Sequence, residues 1–175
     1  EPLKVEEEDY IFSIGHDMGR DYQTLFEAMK GLNTKLIITD QKRAKKMSVI
    51  PAFVQVKNFS DQELRTAYAR AKVIVIPLNT SGGFNDAMGC STLVEALSMG
   101  KPVIITKTFT TESYVEDGVN ALLVGQGNVS ELRSKLVYLL NNDEIRRKLG
   151  IEARRYAIEK CESNLIARDM AQFFK

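Results

Sequence analysis

The sequence predicts an α/β protein: a doubly wound, mostly parallel sheet of about six strands with helices on both faces. Three observations predict it. Short apolar runs alternate with helical-period segments from Tyr10 onward, the order that builds parallel sheets. The run Lys72 to Leu78, KVIVIPL, is apolar almost throughout, as a strand covered on both faces should be. Glycines punctuate the segments, at Gly15, Gly31, Gly100 and the pair Asp117-Gly118.

The elements follow in order. Residues 1–9, EPLKVEEED, are acidic and apolar-poor and read as a linker or solvated arm. Tyr10 to Gly15 is a first strand. A helix from about Asp21 places Tyr22, Leu25, Phe26 and Met29 on one face, and Gly31 ends it. Lys35 to Asp40 is a second strand, and Gln41 to Lys46 is a short helix or a loop with a solvated basic face. Phe53 to Phe59 is a third strand. Ser60 then caps a helix, with Glu63 completing a capping box and Leu64, Ala67, Tyr68 and Ala71 as its core stripe. Lys72 to Leu78 is a fourth strand, followed by a polar loop, Asn79 to Ser91. A helix from about Thr92 to Met99 stops at Gly100, and Pro102 to Lys107 is a fifth strand. A short helix is expected over Thr111 to Glu116, then a last strand, Ala121 to Gly125. Leu132, Leu136, Leu139 and Leu140 share a helical face. Asn141-x-x-Glu144 starts a new turn, and a long helical segment from Ile151 closes the chain.

Bulk properties exclude several functions. Lys and Arg total 24 against 23 Asp and Glu, so no long-range field favours a polyanion such as nucleic acid. One histidine, His16, leaves no material for a Cys/His metal cluster. Cys90 and Cys161 match no zinc or redox spacing, and a reducing, cytoplasmic compartment is the simpler expectation. No apolar run approaches a membrane span, and no signal peptide opens the chain.

In doubly wound sheets ligands bind outside the carboxyl ends of the strands, which singles out three loops. Gly15-His16-Asp17-Met18-Gly19-Arg20 offers a tight turn and a guanidinium whose donor fork matches phosphate oxygens. The other reading is a glycine turn with a surface arginine. Gly89, Cys90, Ser91 and Thr92 lead into a helix whose first N–H groups would bind an anion. Glu95, one turn on, would accept from two ribose hydroxyls, or else Thr92-x-x-Glu95 is a capping box. The third loop, Lys107 to Ser113, reads as an N-cap whose hydroxyls could also meet a phosphate or sugar. His16 is either a donor at the mouth of the site or a surface histidine.

Together these segments resemble the C-terminal domain of group-1 (family 4-like) retaining GT-B glycosyltransferases. STLVEALSMGKPVIIT carries the most specific match, to the family's L-x-E-A-M-A-x-G-x-P-V pattern. IFSIGHDMGRDYQTLFEAM, FSDQELRTAYARAKVIVIPL and ESYVEDGVNALLV resemble its opening strand and G-R loop, its approach to the central strand, and its later D-G stretch. The resemblance implies a Rossmann-like domain, residues 10–175, forming one half of a GT-B fold. The N-terminal acceptor-binding domain would be absent, with residues 1–9 as the remnant of a linker.

The resemblance also implies residue roles. Arg20 would contact the donor diphosphate and stabilise the charge developing on it. His16, with Gly15, would stand beside it. Lys57, Asn58 and Phe59 would border the base. Gly89, Cys90, Ser91 and Thr92 would meet the diphosphate through backbone groups, and Glu95 would hold the ribose. The first glutamate of the family's E-x7-E motif falls on Ala87, with Asp86 beside it as a substitute for a sugar contact, and Ser113 replaces a frequent acidic residue. The donor would be a UDP or GDP sugar, with no metal or cofactor, since no D-x-D pair is present. Any membrane contact would belong to the other half, and this chain alone would be inactive. Two other readings compete. One is a non-catalytic nucleotide-binding module, favoured by Ala87. The other is a dinucleotide-binding oxidoreductase domain, with Asp40 as the ribose acid. Against the latter, Gly15-x-x-x-Gly19 is not the G-x-G-x-x-G fingerprint.

Overall fold

The computed structural model describes residues 5–15, 19–39, 49–81 and 87–161. His16, Asp40, the basic stretch Gln41 to Lys46 and Asp86 lie outside the described residues.

Six strands form one sheet: β1 (Tyr10–Ser13), β2 (Lys35–Ile38), β3 (Val54–Val56), β4 (Val73–Ile76), β5 (Val103–Thr106) and β6 (Leu122–Val124). All five pairings are parallel, in the order β3-β2-β1-β4-β5-β6. The expected strands are all present but shorter, because their ends leave the ladder to begin the loops. Pro77, for example, has no N–H to offer beyond β4.

Among the described residues the helices are α1 (Tyr22–Met29), α2 (Asp61–Arg70), α3 (Cys90–Ser98), α4 (Val129–Leu140) and α5 (Asp143–Lys160). Two cores result. Ile74 and Ile76 of β4 pack with Phe12, Leu93, Leu97 and Ala153 on the face covered by α2, α3 and α5. Val73 and Val75 point the other way, packing with Leu25, Met29, Leu132 and Leu136 of α1 and α4. That alternation explains why VIVI is apolar at every position. Each such side chain contributes about 1.5–3 kcal/mol on full burial.

The Ser60–Glu63 capping box forms as expected: Ser60 N–H donates to Glu63 Oε2 at 2.8 Å and Glu63 N–H to Ser60 Oγ at 3.5 Å. Three expectations need correction. First, α3 begins at Cys90 rather than Thr92, capped by Gly89 at φ +79° with no side-chain cap. Second, the helix expected over Thr111 to Glu116 is only a 3₁₀ turn, Thr111–Ser113. Glu116 N–H is diverted to Asn120 Oδ1 at 2.9 Å, which ends the helical pattern. Third, the expected fresh start at Ile151 is absent, and α5 runs unbroken through Gly150. A side chain at Gly150 would collide with the Gly100 carbonyl. The glycine is a point of close approach between α3's end and α5, not a break.

Residues 5–9 of the acidic arm are exposed as expected, yet they are not loose. Glu8 N–H donates to the Arg70 carbonyl at 2.7 Å, and Glu8 and Asp9 pair with Arg70 and Lys72 at 2.6 and 2.9 Å. Glu7 reaches Arg146 at 2.8 Å and Lys101 at 3.6 Å. The arm is thereby fastened along the amino ends of the strands, opposite the site.

Candidate nucleotide-binding site

The strand order reverses between β1 and β4, because β1 leads to β2 on one side and β4 leads to β5 on the other. The crevice for a ligand in such a sheet lies at that switch point. Gly19, Arg20 and Asp21 cross it. Asn79 N–H donates to the Gly19 carbonyl at 2.7 Å, Asp21 N–H donates to the Pro77 carbonyl at 2.9 Å, and Arg20 bridges to Leu78. Leu78 N–H in turn donates to Thr106 Oγ1 at 2.8 Å, tying the end of β4 to that of β5.

This strap turns the Arg20 side chain inward. It is 2% exposed, and Nη2 donates to Thr92 Oγ1 at 3.1 Å. The surface-arginine reading is thereby overturned. The guanidinium lies directly over Gly15, where a Cβ would stand 2.5 Å from its central carbon, and a Cβ on Gly89 would stand 3.1 Å from Nη1. Gly15 at φ +141° and Gly89 at φ +79° hold conformations that favour glycine. Both glycines are therefore required twice, for their backbone angle and for the space Arg20 fills.

A cation is thus packed against the start of α3, itself the positive end of a helix dipole. Leu93 N–H donates to the Gly89 carbonyl at 2.8 Å as the first bond of the helix, and the N–H groups of Ser91 and Thr92 precede it. Like charge and dipole are brought together, the arrangement that favours an anion. Cys90 is half-buried, and burial pushes its thiol up, so it adds no negative charge there. Cys90 and Cys161 are both free.

Thr92 and Glu95 do not form a capping box: both lie inside α3. Glu95 instead accepts from Tyr68 on α2, Oη to Oε2 at 2.9 Å. Burial above all, then the Glu95 charge, raises the Tyr68 phenol far beyond its usual range, with Arg20 opposing. Arg20, Thr92, Tyr68 and Glu95 therefore form one electrostatic cluster. Tyr68 was expected only as core. The available signal was its hydroxyl, since a buried tyrosine needs a polar partner.

Glu95 and Tyr68 line a cleft of about 400 Å³ between α2 and α3, with Leu64, Arg65 and Ser98. Lys57 and Asn58 are exposed and Phe59 is half-buried. They line a groove of about 510 Å³ on the other flank of α2, with Tyr10, Ile37 and Arg70. The structure thus unites Gly15, Arg20, Gly89, Thr92 and Glu95, and sets Lys57 to Phe59 apart across the start of α2. Ala87 is exposed in the turn before α3, where its carbonyl accepts from Cys90 N–H at 3.2 Å.

The third loop is braced by its own threonines. Thr108 N–H donates to Thr111 Oγ1 at 2.8 Å, Thr111 N–H to Thr108 Oγ1 at 3.1 Å, and Thr111 Oγ1 to the Thr106 carbonyl at 3.0 Å. Ser113 uses its carbonyl, which accepts from Tyr156 Oη at 3.3 Å. Gln126, which sequence reasoning missed, accepts from Thr80 N–H at 2.9 Å and donates to Ser81 Oγ at 2.6 Å, fastening the loop after β4. Among the described residues no three His, Cys, Asp or Glu side chains could jointly hold a metal. No described helix is long and apolar enough to cross a membrane.

Residues 1–156 match the family model for glycosyl transferases group 1. The chain belongs to that family. An uncharacterized glycosyltransferase of Methanocaldococcus jannaschii is 31% identical over 151 residues, 78% of this chain and 40% of that protein. Two solved glycosyltransferase structures share the fold. Sucrose-phosphate synthase from Thermosynechococcus elongatus superposes with a TM-score of 0.80 at 20% identity, over 97% of this chain and 46% of that one. HepE of Anabaena, solved with UDP and glucose, gives 0.80 at 17% identity, over 95% and 48%. This group-1 glycosyltransferase chain spans less than half the length of each of these three proteins.

Proposed function

We propose that this chain is the donor-binding half of a retaining glycosyltransferase that uses a UDP or GDP sugar. The observation that carries the reading is Arg20, buried against the first turn of α3 at the sheet's switch point and bonded to Thr92 at 3.1 Å. Cation and helix start supply a preorganised positive site. In sugar transfer the bond between the anomeric carbon and the diphosphate oxygen breaks, and negative charge grows on the leaving diphosphate. A site already polarised for that charge stabilises the transition state more than the ground state. Because Arg20 is covered, it acts first as a fixed charge beneath the anion; the N–H groups of Ser91 and Thr92 make the direct contacts.

Glu95, in the cleft beside this site, would hold the ribose diol. Gly15 and His16 would border the diphosphate. Lys57, Asn58 and Phe59 would reach the base if it lies across the start of α2. Diphosphate charge is met by protein groups alone on this reading, without a metal. The acceptor, and any group that positions it, would belong to an N-terminal domain outside this chain, which alone would bind nucleotide without turnover. Such an enzyme would work in the cytoplasm, with any membrane contact made through that other domain. HepE's complex with UDP and glucose supports a nucleotide-sugar ligand for this fold.

A second reading rests on Ala87. A methyl group there offers no acceptor to a donor sugar, which suits a nucleotide-binding module without transferase activity. Thermal shift with UDP, GDP and NAD tests the proposal. A nucleoside diphosphate should raise Tm with a concentration dependence that follows its Kd. Stabilisation by NAD alone, or by no nucleotide, would sink it. Robust sugar transfer by the isolated chain would remove the incomplete-site part.

A further inference from the structure

Tyr68 sits on the core stripe of α2 and is 3% exposed. Its ring stands edge-on to Phe12, centroids 5.3 Å apart, and Phe12 stands edge-on to Phe59 at 5.8 Å. The ring is therefore clamped, and with it the direction of its hydroxyl. That hydroxyl is the link between α2 and the Glu95 carboxylate on α3, at 2.9 Å. A hydrogen bond to a carboxylate belongs to the strong class. Glu95 is otherwise a long side chain on an exposed helix surface, where its torsions would be free.

We propose that Tyr68 is a positioning residue for a vicinal-diol subsite. It ties down Oε2 of Glu95 and so leaves Oε1 as a pre-oriented acceptor for the two ribose hydroxyls of a nucleoside diphosphate. This rests on the donor-binding reading above. The gain is entropic: a carboxylate fixed before binding loses less freedom when the diol arrives. The Tyr68 phenol, held protonated by burial and by Glu95, remains a donor across the working pH range.

The test is calorimetric titration of the chain and its Tyr68→Phe variant with UDP and GDP, and with their 2′,3′-dideoxy forms. Phenylalanine keeps the ring contacts and removes only the hydroxyl. The expected result is a loss of about 3- to 10-fold for the ribonucleotide and less than about 2-fold for the dideoxynucleotide. In a Glu95→Gln background Tyr68→Phe should cost little more, because the two act as one unit. An equal loss for both nucleotides, no loss for either, or additive losses in the double variant would overturn the proposal. If the unaltered chain binds neither UDP nor GDP, the donor-binding reading itself falls and takes this one with it.

Discussion

The two edges of the sheet treat charge in opposite ways. At the amino edge, Glu7, Glu8 and Asp9 meet Arg146, Arg70 and Lys72 in pairs 2.6 to 2.9 Å apart. Opposite charges satisfy one another there, and the arm is held by the fold's own needs. At the carboxyl edge, a guanidinium is buried against a helix start, so a charge and a dipole of like sign are packed together. That arrangement favours an external anion. Function in this fold lies not where charges are numerous but where a buried charge and a helix dipole of like sign are packed together.

Three substitutions would break or sharpen this contrast. The largest effect is expected at Arg146, which is 6% exposed and donates to the Leu139 carbonyl at 2.7 Å as well as pairing with Glu7. Arg146→Ala removes a buried cation together with its bond to that carbonyl and its pair with Glu7, and should cost about 2–3 kcal/mol in urea denaturation. Nucleotide affinity should not change, and a parallel loss of affinity would blur the two edges into one. Arg20→Ala comes next. Affinity for a nucleoside diphosphate should fall about 10-fold, while affinity for the nucleoside alone should change less than about 2-fold. Equal losses in calorimetry would mean that Arg20 shapes the fold and not the anion site. The smallest effect belongs to Glu8→Gln. The Glu8 and Arg70 side chains are 52% and 47% exposed, so the pair should contribute only about 0.5 kcal/mol. Its contribution should shrink as salt rises; a difference that persists at high salt would point to the Glu8 backbone bond instead.

Much of the fold was legible because its signals are local. The apolar run of β4, the Ser60–Glu63 capping box and the stop at Gly100 each depend on residues within a turn or a strand of one another. Errors came where a local pattern had a stronger distant competitor. Thr92-x-x-Glu95 fits a capping box, but Arg20 takes the threonine and Tyr68 the glutamate. Ile151 reads as a fresh helix start, but α5 runs on through Gly150, whose missing side chain leaves room for the Gly100 carbonyl.

The sequence by itself determined the α/β order, the six strands, the family resemblance and the residue types of the anion site. Only the tertiary structure decided which of them meet. Arg20 and Thr92 are 72 residues apart in sequence, Tyr68 and Glu95 are 27 apart, and Glu7 and Arg146 are 139 apart. No periodicity reports such contacts. They exist because a parallel sheet must return the chain through a helix between strands, and so gathers the far ends of separate segments along one edge.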